Sequence, residues 1–393
     1  MATYYVDPAA SGLNNGTSWA NAWTGMQLAI DGTNGTQPAA GDTIYMRGTE
    51  TLTASIDMDG ADGSATAGHI NWIGVNASGV DDGTRYVIDA NNAATHCLDF
   101  SNYNTDYQRL CNIELKNATS HGIDFAGYSG TDGLLCANLY VHNNGGGGVN
   151  TYHNSTYYSS FYHCRFENNS SHGVEGEGLF VFCSFIGNGG HGYSANYSPR
   201  ETTFLSCVFH GNTLAGIGQR GRTSTTFRYI TRLIVGCVID GNSDDGIEMV
   251  AAQGVNVIGN RITGNGGYGV LSDATVNLYD QFRLAYNYMP DTGQDRANTG
   301  GKYTGNPILI HTNGSDTNQL SGTDTDAGYT APASDNFNLT SSATFRAVEV
   351  DIDGTNKVYV TAGLDPEEPS GGGGTDAVLV PQGLHSIDAG ITA

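Results

Sequence analysis

One recurring motif limits what this chain can fold into more than any other feature. The segments Cys164-Arg-Phe-Glu-Asn-Asn-Ser-Ser-His-Gly173-Val, Cys183-Ser-Phe-Ile-Gly-Asn-Gly-Gly-His-Gly192-Tyr, Cys207-Val-Phe-His-Gly-Asn-Thr-Leu-Ala-Gly216-Ile and Cys237-Val-Ile-Asp-Gly-Asn-Ser-Asp-Asp-Gly246-Ile share one pattern. Each has Phe or Ile two places after the Cys, then an Asn, then a Gly followed by an apolar residue. A copy lacking the Cys runs from Asn260 to Val270, and weaker copies end at Gly122-Ile123 and Gly148-Val149. The motif is strict, whereas the spacers between the glycines at 122, 148, 173, 192, 216, 246 and 269 vary in length. Fixed motif and variable spacer describe a solenoid, in which one side of each unit packs on its neighbours and another side carries loops. The Leu lattice of leucine-rich repeats is absent, and Gly- and Asn-dense segments alternating with period two do not make helical repeats.

Within a unit, the Cys and the Phe or Ile are two apart, so on a strand they face the same way, and the apolar residue after the Gly opens a second strand. Between them lies a tight bend holding Asn169, Asn188, Asn212, Asn242 or Asn265. Asn suits turn conformations, and its amide can hydrogen-bond the equivalent Asn one coil on, which predicts an Asn ladder. Stacked coils also place Cys164, Cys183, Cys207 and Cys237 in one interior column, as buried, inert thiols. The seven cysteines are odd in number and need no disulfide to explain their positions.

Composition agrees with a solenoid and excludes other classes. The chain has 393 residues with 56 Gly and 14% charged residues, yet 38% hydrophobic residues including 22 Tyr and 13 Phe, enough apolar material for an extended core. A formal charge of −23 argues against binding nucleic acid or anionic membranes. No apolar run reaches the roughly 18 residues of a spanning helix. The start MATYYVDPAA has neither a basic leader nor an apolar signal core, so the expectation is a protein made and used without secretion.

Over most of residues 3–365 these repeats resemble the right-handed parallel β-helix family, the pectate-lyase-like superfold of bacterial and phage proteins. Tyr4 to Gly12 and Gly16 to Trp23 look like that family's opening, with a short helix near Trp23–Asp31 over the first coil and Gly41 to Arg47 as the first strand. Asp335 to Leu339 and Asp351 to Gly354 are similar to its closing coil. The expected fold is therefore all-β: a right-handed parallel β-helix solenoid with a short N-terminal capping helix and a C-terminal tail. It divides into a cap (1–40), the β-helix (41–345), a closing hairpin or last coil (346–365), and a Gly-rich linker with an apolar anchoring tail (366–393). The resemblance to phage tailspike and virion β-helix proteins implies a homotrimer located in a virion. It would attach to other virion proteins through the tail and bind host-surface glycans. That is a structural or adhesive role as spike, fibre or capsid decoration. The alternative is a polysaccharide lyase or glycoside hydrolase acting on an acidic polysaccharide; a bacterial source would place the chain outside the cell.

On stacked coils a site is a row of equivalent outward side chains, so candidate rows can be read from the repeat. One place before the Gly stand His121, His172, His191 and Asp245, with His172 and His191 on neighbouring coils. Two places after it come Asp124, Glu175 and Glu248; the last two are three coils apart, about 14 Å, too far for an acid/base pair. A third row, Lys116, His142, Glu167, Ile186, His210, Asp240 and Thr263, sets His210 beside Asp240. A solvated polar face is the favoured account of these rows. Polygalacturonase-like relatives carry Asp-Asp, then Gly-His-Gly, then Arg-x-Lys; here Gly190-His191-Gly192 precedes Asp244-Asp245 and no Arg-x-Lys follows, so that set is not carried over. Arg220 and Arg222 head a basic cluster that could hold an acidic glycan or a neighbouring subunit. Asp57, Asp59 and Asp62 have the near-alternate spacing of a calcium loop, although not that of an EF-hand. Calcium is the one ion suggested, and no cofactor is required.

Overall fold

The computed structural model describes residues 1–100, 106–125, 133–150, 159–195, 202–220, 232–250, 255–273, 282–285 and 296–298, and four short strands between 329 and 360. Each complete coil contributes two strands to a long sheet and one to a short sheet, and all strands within these two sheets run parallel to their equivalents in the next coil. In one coil these are Gly178–Val181, Ser184–Ile186 and Tyr193–Ala195. Successive coils stay in strict register, so three inward columns form. Phe161, Phe180, Phe204, Ile234 and Val257 make the first. Phe166, Phe185, Phe209, Ile239 and Ile262 make the second. Val174, Tyr193, Ile217, Ile247 and Val270 make the third. All are buried, and the Phe rings stack, with Phe185 and Phe209 centroids 4.5 Å apart.

The corners explain the glycines. The second corner of each coil turns on one residue in the left-handed region, Asn117, Asn143 and Asn168 in the earlier coils and Gly187, Gly211, Gly241 and Gly264 after them, the glycines with φ of 61 to 63°. Just beyond it stands the ladder. Asn144 donates to Asn169 (2.9 Å), Asn169 to Asn188 (3.0 Å), Asn188 to Asn212 (3.0 Å), Asn212 to Asn242 (2.8 Å) and Asn242 to Asn265 (2.9 Å). Each accepting Oδ1 also takes the backbone N–H of the preceding Asn, as Asn212 does from Asn188 at 3.0 Å. The second amide hydrogen goes to an interior carbonyl, that of Phe185 in the case of Asn212. These amides are buried yet satisfied, so they do not incur the cost of an orphaned polar group.

The thiols behave likewise. Cys164, Cys183, Cys207 and Cys237 form the expected column, all buried and free. Cys207 N–H donates to Cys237 Sγ (3.4 Å), and Cys237 N–H to Asn260 Oδ1 (2.8 Å), so Asn takes over where the Cys ends. Burial pushes the Cys164, Cys183 and Cys207 thiols well above their ordinary pKa.

Two expectations change at the N-terminus. Thr3–Val6, not the segment beginning at Gly41, is the first strand, and it pairs in parallel with Thr43–Met46. The Tyr4–Val6 alternation puts Val6 fully into the core, which is what the pairing secures. The capping helix is the shorter Met26–Ile30, with Met26, Ala29 and Ile30 buried, and its Met26 N–H is held by Glu50 (3.0 Å). Toward the other end, Val348–Asp351 pairs antiparallel with Lys357–Val360. Residues 366–393 lie outside the described residues.

Truncating Phe185 to Ala should cost about 3–5 kcal/mol, and Asn212→Ala about 1–3 kcal/mol by orphaning its neighbours' groups. Urea unfolding of both variants checks this; an unchanged midpoint for either would remove that residue from its column.

Candidate functional site

The outer face of the short sheet gathers most of the residues singled out by the repeat. Register makes two rows there. One place before the Gly stand His121, His172, His191 and Asp245, with His96 at the corresponding place one coil before His121. Two after it come Asp99, Asp124, Asn150, Glu175, Ser194, Gly218 and Glu248. His172 and His191 stack with centroids 5.2 Å apart and planes 16° apart; His96 and His121 stack at 5.7 Å and 3°.

The first row is a hydrogen-bond ladder. Nδ1 of His121 accepts from Gly147 N–H (3.0 Å), Nδ1 of His172 from His191 N–H (3.0 Å), and Nδ1 of His191 from Ala215 N–H (3.1 Å). Asp245 Oδ1 does the same for Tyr268 N–H (2.6 Å). An imidazole whose Nδ1 accepts carries its proton on Nε2 when neutral. His191 Nε2 lies 4.0 Å from Glu248; His96, whose own Nδ1 accepts no hydrogen bond among the described residues, has Nε2 3.6 Å from Asp124. His191 reaches a residue two coils away because Gly218 lies between them, where any Cβ would collide with the imidazole ring. Asp124 also accepts from Asn150 Nδ2 (2.7 Å). Much of the strip is shielded from solvent: Asp245 is 3% exposed, His191 4%, Asp124 5% and Glu248 8%.

Burial lowers the pKa of His121, helped by His96 and opposed by Asp124 and Glu175. Burial raises that of Asp245, with Asp244 adding to it and the Tyr268 N–H working against it.

The other candidates fall elsewhere. Glu175 and Glu248 share a column but remain three coils apart, as their spacing requires. His210 and Asp240 do meet, Nδ1 to Oδ2 at 3.2 Å, but on the outer face of the long sheet. Arg220 ends the strand Ile217–Arg220, its side chain outside what is described, and Arg222 lies outside the described residues. The calcium loop does not converge. Asp57 Oδ1 caps Asp59 N–H (3.0 Å), Asp62 Oδ1 accepts from Asp106 N–H (3.3 Å), and the sheet neighbour of Asp57 is Asp99. Among the described residues no group of three His, Cys, Asp or Glu side chains is placed to hold a metal ion. The outer face of the long sheet also holds a cluster of which the motif marked only one column: Lys116, His142 and Glu167 stand beside Glu114, Tyr140 and Arg165, which it did not mark. These stand on longer strands, Gln108–Lys116 and Leu135–His142, and on Arg165–Glu167.

The lowered pKa of His121 carries a sign. Its contribution to stability is complete above the unfolded value of about 6.5 and is lost as pH falls through the folded value. His142, also lowered by burial, acts in the same direction. Urea midpoints measured from neutral to mildly acidic pH should therefore decline, and His121→Gln should shrink the decline; an unaltered slope would count against the buried imidazole.

No protein-family model and no curated protein matches this chain. Among solved structures, pectate lyase Pel9A superposes with a TM-score of 0.60 at 17% identity, covering 94% of this chain and 96% of that one. The pectin methylesterase from Aspergillus niger aligns at a TM-score of 0.28 and 13% identity over 76% of this chain and 86% of that one. ORF18 of Geobacillus virus E2 aligns at 0.31 and 14% over 65% of this chain and 52% of that one. The first likeness speaks to fold, and it agrees with the parallel registers, the ladder and the three inward columns: this chain is a right-handed parallel β-helix of the pectate-lyase-like fold.

Proposed function

We propose that this chain is a structural or adhesive virion protein, a spike, fibre or capsid-attached decoration, that holds host-surface glycans against the short-sheet strip. The observation that carries the reading is the imidazole ladder. With Nδ1 committed to a backbone N–H, a neutral His121, His172 or His191 can donate from Nε2 but cannot accept there. Accepting a proton at Nε2 needs the other tautomer, which would set an N–H against the N–H of the next coil. General-base work by these residues would break the ladder, whereas recognition uses it as it stands. A saccharide chain lying along the strip would meet the half-buried His121, His172 and Glu175, whose positions are fixed by the stacking.

The resemblance of the repeats to phage β-helix proteins supports a virion location and assembly as a homotrimer. The chain's net charge of −23 speaks against nucleic acid and anionic membranes as partners. Contact with other virion proteins is assigned to the apolar tail at 366–393, whose Val378 to Val380 and Ile387 to Ile391 would be ordered only where they can be buried.

A second reading, hydrolysis or lyase cleavage of an acidic polysaccharide, rests on Asp245 and Glu248, two buried carboxyl groups on one strip, with burial raising the pKa of Asp245.

Incubation with a panel of acidic polysaccharides separates the two. Retention on immobilised glycan without new reducing ends or unsaturated sugars is the expected result; robust turnover abolished by Glu248→Gln would replace the adhesive reading with the enzymatic one. Removing residues 366–393 should leave the β-helix folded while abolishing assembly or attachment, read by sedimentation and by incorporation into particles; normal incorporation would dismiss the anchor.

A further inference from the structure

The outer face of the long sheet carries a second polar surface that the short-sheet strip does not account for. Over three coils it is a grid of two columns, Glu114, Tyr140 and Arg165 in one and Lys116, His142 and Glu167 in the other. On the following coils the same columns turn to Ser184 with Ile186 and then Val208 with His210, so the fully polar part is confined to these three coils.

Every member is held in place. Glu114 accepts from Lys116 Nζ (2.8 Å) and from His142 Nε2 (3.2 Å), while Asn143 donates to His142 Nδ1 (2.9 Å) and so fixes that tautomer. Glu167 takes a bidentate fork from Arg165 (2.8 and 2.9 Å) and the Tyr140 hydroxyl (2.5 Å). The Tyr140 and His142 rings stack at 4.0 Å. Arg85, arriving from an earlier coil, holds Asn138 through Nε and Nη2 and places its guanidinium 5.4 Å from the Tyr140 ring centre; that of Arg165 is at 5.9 Å. Burial acts upward on both carboxyls but is outweighed, at Glu114 by Lys116 and His142 and at Glu167 by Arg165 and Tyr140, so both stay ionised below the usual range.

These ion pairs are partly buried, with side chains 11–25% exposed, so the cost of taking their charges out of water offsets most of their attraction and a grid this dense is not explained by folding stability alone. Its composition points to a ligand. Two of the 16 basic residues of a chain with net charge −23, Arg85 and Arg165, meet at Tyr140, and a third, Lys116, stands in the adjoining column on Glu114. Among the described residues Lys116 gives one of its three ammonium hydrogens to Glu114, and Arg85 leaves Nη1 uncommitted. Planar groups locked by their neighbours are pre-organised donors and acceptors, which lowers the entropy lost on binding.

We propose that this grid is a second, separate saccharide site, taking a sugar with an anionic substituent, carboxylate or sulfate, whose charge is held by Arg85 and Lys116 and whose hydroxyls meet Glu114 and Glu167. The proposal rests on the reading of the shaft as glycan-directed, but not on the short-sheet strip. The probes are glucuronate, glucose 6-sulfate and glucose, applied to the whole chain and followed by saturation-transfer NMR. Either anionic probe should receive saturation that glucose does not, and which one does identifies the substituent. Losing charge-assisted hydrogen bonds worth about 1.5–3 kcal/mol, the Arg85→Gln/Lys116→Gln variant should bind at least about ten-fold more weakly. If that variant unfolds, Lys116→Gln alone, which breaks only the Glu114 contact, replaces it. Equal transfer from all three sugars overturns the site. Binding that persists undiminished in the variant overturns it too, while leaving the short-sheet strip as the glycan surface; absence of binding by any probe, or by the immobilised polysaccharides, overturns both.

Discussion

The constraint on which the rest depends is the commitment of every coil to the same register at the buried Asn. An amide inside the core must find partners for two hydrogens and an oxygen, and here it does so only if the next coil presents its own Asn at the same height. Sliding one coil by a single residue would orphan several groups and would turn a Phe column toward solvent at the same time. Spacers can therefore vary freely in length: they leave after the short-sheet strand and return before the next coil begins, without disturbing the ladder. The Cys column repeats the logic with a weaker acceptor, and its replacement by Asn260 shows that the position calls for an acceptor more than for sulfur.

Strict stacking has an electrostatic consequence. Equivalent side chains on neighbouring coils sit about 4.8 Å apart, close enough for like charges to repel. A chain with 39 acidic residues must manage this. From Asp124 onward, the outer column of the short sheet interleaves its carboxylates with neutral residues, Asn150 before Glu175 and then Ser194 and Gly218 before Glu248. Where carboxylates fall side by side, at Asp99 and Asp124, the stacked His96 and His121 stand alongside. On the long sheet the same problem is met by alternating sign, Lys116, His142 and Glu167 in one column against Glu114, Tyr140 and Arg165 in the other.

The ladder, the thiol column and two of the apolar columns could be read from the sequence, because each depends only on residue type and spacing; the remaining one, Phe161, Phe180 and Phe204, lies on a strand ahead of the Cys that the motif does not include. The pairing of Thr3–Val6 could not, since a single strand outside the repeat offers nothing to align. Nor could the role of Gly218, which at the sequence level is one more glycine and in the structure is the gap that lets His191 face Glu248. One column of the long-sheet cluster escaped because Glu114, Tyr140 and Arg165 lie two residues ahead of the row, Lys116, His142 and Glu167, that the motif marks. Two of the strands concerned belong to coils where that motif is degenerate.

Hydrogen-bond direction is the least legible property of all, and it is the one that fixes the tautomers of the short-sheet imidazoles. A sequence shows that His172 and His191 stack; it does not show that each ring has already accepted a proton donor from the coil above. An acid/base catalyst needs a group free to change protonation during the reaction, near the pH at which it works. In the short-sheet ladder such a change would unpair a backbone N–H; in the long-sheet grid it would release a carboxylate from its cation. Both surfaces are therefore stable arrays whose polarity is set when the coils stack. A ligand that approaches them meets fixed donors and acceptors, and selectivity follows from how well its own groups match that fixed spacing.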